Sequence, residues 1–301
     1  MYLPLDNITL DKIEADFLTE REVSLSVLRL DKIHETISGN KLFKLNYYIE
    51  SCLNTTHKTL LTFGGAYSNH LAATALLCKL KGIKCIGIVR GNNPKIPSHT
   101  LAYCMANNMI VEYVDASIYK NAADINYLKT LAKKYGEFTI VPEGGYGYQG
   151  AKGASLIMDL LDLQTPTHVC TCVGTATTLA GLLMNNKTNK KIIAVPVIKN
   201  MNDINDRLID LKIEYDKENL TIMHEYHFGG YAKHTEDLIS FMNDFYNNHK
   251  IPTDFVYTAK LMYGIFDKIK LGYFPKGSSI VCLHTGGLQG NLSLPPGTLI
   301  Y

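Results

Sequence analysis

Apolar, β-branched runs alternate along this chain with segments whose hydrophobic positions recur at helical spacing. TLLTF (59–63) precedes NHLAATALLCKLKG (69–82), KCIGIV (84–89) precedes HTLAYCMANN (99–108), and MIVEYV (109–114) precedes AADINYLKTLAKKYG (122–136). FTIVP (138–142) is followed by GAKGASLIMDLLD (150–162), and HVCTCV (168–173) by TATTLAGLLM (175–184); KIIAVPV (191–197) and SSIVCLH (278–284) continue the series. Strand-helix alternation at this spacing predicts parallel strands flanked by helices, an α/β fold. The length of the chain predicts two such sheets, open, twisted and mostly parallel.

No linker rich in Pro, Ser or charge interrupts the chain, and no repeat of 20 to 50 residues is visible. The seams are the glycine clusters at Gly39 and at Gly144-Gly145. They divide the chain into a larger domain of residues 1–46 and 147–301 and a smaller inserted α/β domain of residues 47–146.

Composition narrows the function classes. With 301 residues, 46% hydrophobic and 19% charged, the chain is an ordinary globular one. A net charge of only +2 without basic runs argues against a nucleic-acid partner and leaves a small-molecule role. The N-terminal MYLPLDNITLDKIEADF lacks a basic segment followed by an apolar one, and no segment has the apolar length to span a bilayer, so a cytoplasmic protein without membrane association is expected. Its seven cysteines are scattered singly and read as reduced core residues, Cys170 and Cys172 sharing one strand face.

Three apolar strands run into loops of small and hydroxylic residues: Gly64 to His70, Gly174 to Gly181, and Thr285 to Gly290. Loops at the carboxyl ends of parallel strands face the ligand crevice, so all three are candidates for one site. Gly174-Thr175-Ala176-Thr177-Thr178 at the mouth of a helix offers N–H groups, hydroxyls and a helix dipole, a cradle suited to phosphate. It lacks the lysine of a Walker A loop and the Gly-x-Gly-x-x-Gly spacing of a dinucleotide fingerprint. Earlier in the chain, SGNKLFKLNYY reads as a helix start with Asn40 as N-cap, yet Lys41 and Lys44 stand in its first turn, where the dipole favours acids. Dipole and neighbouring cation both push such an amine toward neutrality, and a neutral amine can form a Schiff base. Two solvated surface lysines are the plainer explanation of that pair by itself.

These pieces resemble the 1-aminocyclopropane-1-carboxylate deaminase / D-cysteine desulfhydrase family. The matching segments are Gly39 to Leu45, Gly64 to His70, Thr175 to Gly181, Tyr257-Thr258-Ala259-Lys260 and His284 to Gly287, in the family's order across about residues 20 to 290. The resemblance implies the pyridoxal 5'-phosphate fold type II, like the tryptophan synthase β chain, with Lys41 as the cofactor-bonding lysine. It further implies Lys44, Thr175, Ala176, Thr177 and Thr178 at the cofactor phosphate, Asn69 at its phenolic oxygen, and Thr258 and Thr285 on the pyridine side. Ser68, Asn69 and His70, with Tyr257, would meet the substrate; Ser68, Tyr257 and the more loosely matched Tyr231 would act beside Lys41 in catalysis. A homodimer is implied, and no metal.

Two positions separate the subgroups. Aminocyclopropane deaminases carry Glu after the first tyrosine and Leu in His-Leu-Gly-Gly, where this chain has Thr258 and Thr285, so it resembles the D-cysteine desulfhydrase side. That implies β-elimination from D-cysteine to pyruvate, hydrogen sulfide and ammonia, with the cyclopropane substrate as the alternative and a non-catalytic cofactor or amino-acid binder as a rival of another class. The chain departs from the pattern at Phe43 for Arg, His70 for Gln and Ala176 for Gly. A metal site on His224-Glu225-Tyr226-His227 lacks an evident third ligand.

Overall fold

A computed structural model describes residues 5–122, 124–161 and 165–301. The first four residues of the N-terminal stretch and one residue in each of the helices expected over 122–136 and 150–162 (Ala123 and Asp162) lie outside the described residues.

Strands alternate with helices in two sheets. Six strands, β1 (Leu10–Ile13), β2 (Ser24–Arg29), β7 (His168–Val173), β8 (Lys191–Pro196), β9 (Leu220–Ile222) and β10 (Ser279–His284), pair in the order β1-β2-β10-β7-β8-β9. Four others, β3 (Thr59–Gly64), β4 (Lys84–Arg90), β5 (Met109–Val114) and β6 (Thr139–Val141), pair in the order β5-β4-β3-β6. Every pairing is parallel except β1 with β2. The parallel strands expected from the apolar runs are present, and beyond those runs the structure has β9 at one edge of the larger sheet and the pair β1 and β2 at the other. Their polar, short sequences LDKI and SLSVLR lack the continuous apolar character of strands covered on both faces.

Helices α1 (Asn40–Leu53), α2 (Asn69–Lys81), α3 (Tyr148–Asp159) and α4 (Thr177–Met184) share one core with a face of each sheet: Leu42, Leu45, Leu71, Ile157 and Leu179 meet Leu60 and Val89 on one side and Val169 and Val281 on the other. Strand alternation sends Cys170, Cys172 and Cys282 to the opposite face of the larger sheet, where α5 (Thr258–Lys270) packs Leu261, Met262 and Ile265 against them. With α1 to α4 between the sheets, the loops that follow β3, β7 and β10 open on one cavity of about 870 Å³. No helix among the described residues is long and apolar enough to cross a membrane.

Candidate active site

Gly39, not Asn40, is the residue preceding the first turn of α1. Its φ of +66° with ψ of −143° is open to glycine alone, and a Cβ there would lie 1.8 Å from the Thr285 carbonyl oxygen. Asn40 is thereby drawn inside the helix, and its backbone N–H donates to that same carbonyl at 3.3 Å. Its side chain is buried, donating from Nδ2 to Thr178 Oγ1 (2.8 Å) and accepting the Lys41 amine at Oδ1 (2.7 Å). The expected N-cap is thus a bridge between α1 and the mouth of α4.

Both first-turn lysines line the cavity. Burial is the main cause that lowers the proton affinity of Lys41, opposed by Cys172 and Asp254. Burial drives Lys44 well below the ordinary lysine range, and the charge of Lys41 adds to the effect. Desolvation, more than the dipole invoked from the sequence, separates this pair from surface lysines. Lys44 Nζ donates to Thr175 Oγ1 at 3.3 Å, and that hydroxyl meets Thr177 Oγ1 at 2.9 Å.

The loop after β7 therefore gathers an amine, the hydroxyls of Thr175, Thr177 and Thr178, and the start of α4. Ala176, where the resembling family has glycine, takes the left-handed conformation at φ +63°. That costs an alanine about 1–2 kcal/mol, retained because it turns the chain into the helix with its first N–H groups toward the cavity.

Across the cavity stands the start of α2. Ser68 is its N-cap, its Oγ accepting from Leu71 N at 3.3 Å, which leaves the first-turn N–H groups of Asn69 and His70 without carbonyl partners in the helix. Asn69 Oδ1 is buried with no partner among the described residues. Thr62 Oγ1 donates to the Val141 carbonyl (2.8 Å), so it accepts from His70 Nε2–H (2.7 Å), leaving Nδ1 unprotonated and unpartnered. Burial first, then the charges of Lys44 and Lys41, hold the imidazole well below its ordinary value of 6.5. His70 is a neutral donor to Thr62 and not an acid at neutral pH. The unfolded chain takes this proton first, so stability present above pH 6.5 is lost as the pH falls toward the folded value. Thermal unfolding of the cofactor-free protein between about pH 5 and 7.5 is expected to show a shallower pH dependence in His70→Gln than in wild type.

The third wall comes from Phe255, Val256 and Tyr257 and from the loop after β10. Asp254 is fully buried, and its carboxylate accepts from the backbone of Val256 (3.1 Å), Tyr257 (2.8 Å) and Thr258 (2.9 Å) and from Thr258 Oγ1 (2.6 Å). Thr258, expected on the pyridine side, is not part of the cavity wall. Its hydroxyl donates to Asp254 and accepts from Asp254 N, so it closes the helix start. Tyr257, in contrast, lines the cavity with its ring 6.0 Å from that of Tyr231, edge to face. Burial, then Tyr231, raise the Tyr257 phenol well above its ordinary range, so it is a proton donor at neutral pH. Thr285 Oγ1 stands 3.2 Å from Cys172 Sγ, and burial pushes that thiol up to about 12. Cys172 is a reduced core residue, as the sequence reads it, that also lines the cavity; strand alternation gives its face but not which strand end meets the cavity. Asp254 was also missed, although an acid four residues before Thr258 at a helix start is a capping signal.

The chemistry assembled here is that of an aldehyde-reactive amine beside an anion cradle. The profile of the pyridoxal-phosphate dependent enzyme family matches residues 13–286. The chain belongs to that family. Within it, this enzyme is 29% identical over 293 residues, 90% of its own length and 86% of the other's, to a Pyrococcus abyssi protein provisionally named 1-aminocyclopropane-1-carboxylate deaminase. A 1-aminocyclopropane-1-carboxylate deaminase of Bradyrhizobium sp. strain BTAi1 is 23% identical over 281 residues, covering 83% of this chain and 82% of that one. The fold is shared with a solved structure described as an ACC deaminase homologue, at TM-score 0.81 and 24% identity over 97% of this chain and 92% of that one.

Pyridoxal phosphate is the cofactor of this family, and the residues present fit it. Lys41 offers an amine whose proton burial loosens, and the Thr175–Thr178 turn with Lys44 offers donors for a phosphate ester. The relatives accord with the resemblance to the 1-aminocyclopropane-1-carboxylate deaminase / D-cysteine desulfhydrase family.

Proposed function

We propose that this enzyme catalyses β-elimination with deamination of a small amino acid, converting D-cysteine to pyruvate, hydrogen sulfide and ammonia. The observation that carries the reading is the meeting, in one cavity, of the Lys41 amine, the Thr175–Thr178 turn with Lys44, and the α2 start at Ser68 to His70. In this reading Lys41 bonds the cofactor aldehyde, Lys44, Thr175, Ala176, Thr177 and Thr178 hold its phosphate, Asn69 binds its phenolic oxygen and Thr285 its pyridine side. Bound there, pyridoxal phosphate supplies an electron-withdrawing ring that makes the substrate's α-proton removable.

The remaining work falls to side chains and backbone. The first-turn N–H groups of Asn69 and His70, backed by the dipole of α2, attract the substrate carboxylate. Burial leaves the Lys41 amine easily deprotonated, so it takes the α-proton. Ser68 Oγ stands at the same helix start, where this reading puts it close to the substrate, and Tyr257, held protonated with Tyr231 beside it, would donate a proton to the leaving thiolate. The released enamine reacts with water, so that D-cysteine plus water gives pyruvate, hydrogen sulfide and ammonia.

A hydroxyl at Thr285 supports elimination of a good leaving group over opening of an unactivated cyclopropane. The Thr285–Cys172 wall carries no carboxylate, and Asp254 is engaged by four donors. A solved hydrogen sulfide-producing enzyme from Fusobacterium nucleatum shares the fold at TM-score 0.67 and 15% identity over 94% of this chain and 96% of that one. Deamination of 1-aminocyclopropane-1-carboxylate is the second reading, favoured by the names of the relatives. Steady-state assays of the cofactor-loaded enzyme discriminate: sulfide and pyruvate in equal amounts from D-cysteine are expected, whereas 2-oxobutanoate from the cyclopropane substrate without sulfide release from D-cysteine reverses the order. A homodimeric state and a cytoplasmic location belong to the same proposal, supported by the family resemblance and the composition.

A further inference from the structure

Lys260 is fully buried in the first turn of α5, outside the cavity wall, and donates to two backbone carbonyls, those of His227 (2.8 Å) and Gly230 (2.7 Å). Those carbonyls belong to an unusual piece of chain. Phe228, Gly229, Gly230 and Ala232 all have positive φ (+50°, +87°, +115° and +53°), and between them stands Tyr231. Two non-glycine residues in that region are strained by about 1–2 kcal/mol each and persist only where surrounding contacts over-determine them. Tyr231 itself is half exposed, so little packing holds its ring at the cavity.

The ties that fix this loop converge on α5. Tyr226 packs on Gly264, where a Cβ would meet its ring at 2.7 Å, and Phe228 sits edge to face on Tyr263 at 4.9 Å. The His227 carbonyl accepts from Gly230 N (3.0 Å) and the Gly230 carbonyl from Lys233 N (3.1 Å), each beside its bond from Lys260. One amine thus bridges both ends of the strained turn just before Tyr231.

We propose that Lys260 is a positioning residue, whose amine clamps the His227 and Gly230 carbonyls and so holds Tyr231 against Tyr257 at the cavity. This rests on the reading above in which Tyr231 works beside Tyr257 on the substrate. Burial lowers the amine to about 8, opposed by Asp254, but a neutral amine still carries two N–H donors for the two carbonyls. The clamp therefore does not depend on the charge, and Lys260 is distinct in task from Lys41 and Lys44, whose amines face the cavity.

The test uses the full chain loaded with pyridoxal phosphate. In Lys260→Met, hydrogen exchange of the amides of 227–233 is expected to accelerate about tenfold or more while the amides of β7 and β10 keep their rates. Turnover should fall about tenfold in kcat with KM changed less than about threefold, and Lys260→Arg, which can donate to both carbonyls, should recover most of it. In a Tyr231→Phe background, Lys260→Met should add little further loss, because it acts through Tyr231. Lys260→Gln, which keeps an amide donor, is the second variant should Lys260→Met not fold, with a smaller rise in exchange of the same sign. Unchanged exchange in 227–233, or an equal kcat loss with and without the Tyr231 hydroxyl, overturns the proposal. The exchange measurement needs no turnover, so absence of elimination activity would sink the functional reading and leave the clamp to be decided separately.

Discussion

Lys41→Ala is expected to abolish the visible absorbance band of the bound cofactor and to lower kcat/KM by about a thousandfold or more, while leaving the cofactor-free protein as stable as wild type or slightly more so. The catalytic loss follows from removing both the amine proposed to bond the aldehyde and the proposed base for the α-proton, two tasks that no neighbour duplicates. Lys44 stands one turn away, but its amine is turned to Thr175. The stability effect has the opposite sign because Lys41 is a buried amine at the positive end of a helix, a costly placement that alanine relieves. Spectra, steady-state kinetics and urea unfolding on the same preparation check the three parts. Retained turnover with a retained band would remove Lys41 from the chemistry.

The second large effect is expected from Gly39→Ala. Glycine tolerates φ +66° with ψ −143°, but alanine there is strained, and its Cβ would lie 1.8 Å from the Thr285 oxygen and 2.0 Å from its carbonyl carbon. Both are backbone atoms at the end of β10, so no side-chain rotation relieves the overlap. Destabilisation of about 3 kcal/mol or more is expected from strain and overpacking together, read as a lower urea midpoint. Because α1 must shift away from Thr285, cofactor affinity should fall as well, by about tenfold or more, even though Gly39 offers the cofactor no side chain. A variant with wild-type midpoint and cofactor affinity would mean that the two segments are free to part.

What could be read from the sequence was what depends on local pattern. The parallel strands announced themselves as buried runs such as TLLTFG, and the Thr175–Thr178 turn as hydroxyls between a strand and a helix. Lys41 and Lys44 were visible because their charge contradicts the helix end on which they sit. What local pattern does not reveal turns on partners distant in sequence or on a competing local bond. Asn40 looked like a cap because Ser, Asn and Asp usually are, but the carbonyl of Thr285, some 240 residues on, fixes the cap at Gly39. Thr258 was assigned by motif to the cofactor, whereas Asp254 four residues earlier takes its hydroxyl. Lys260 carries no local signal for burial; its partners are two carbonyls whose exposure depends on the positive φ angles of a distant loop.

The contact between Gly39 and Thr285 also has a mechanical meaning. It locks the lysine-bearing helix to the strand end that carries Thr285, and Asn40 locks the same helix to the Thr175–Thr178 turn, so that the groups proposed to bond the cofactor aldehyde and hold its phosphate form one stiff jaw. Ser68, Asn69 and His70 hang instead from the other sheet, joined to their own strand through Thr62. In the proposed reading, an amino acid whose carboxylate sits at the start of α2 and whose amine meets Lys41 becomes the bolt between two plates.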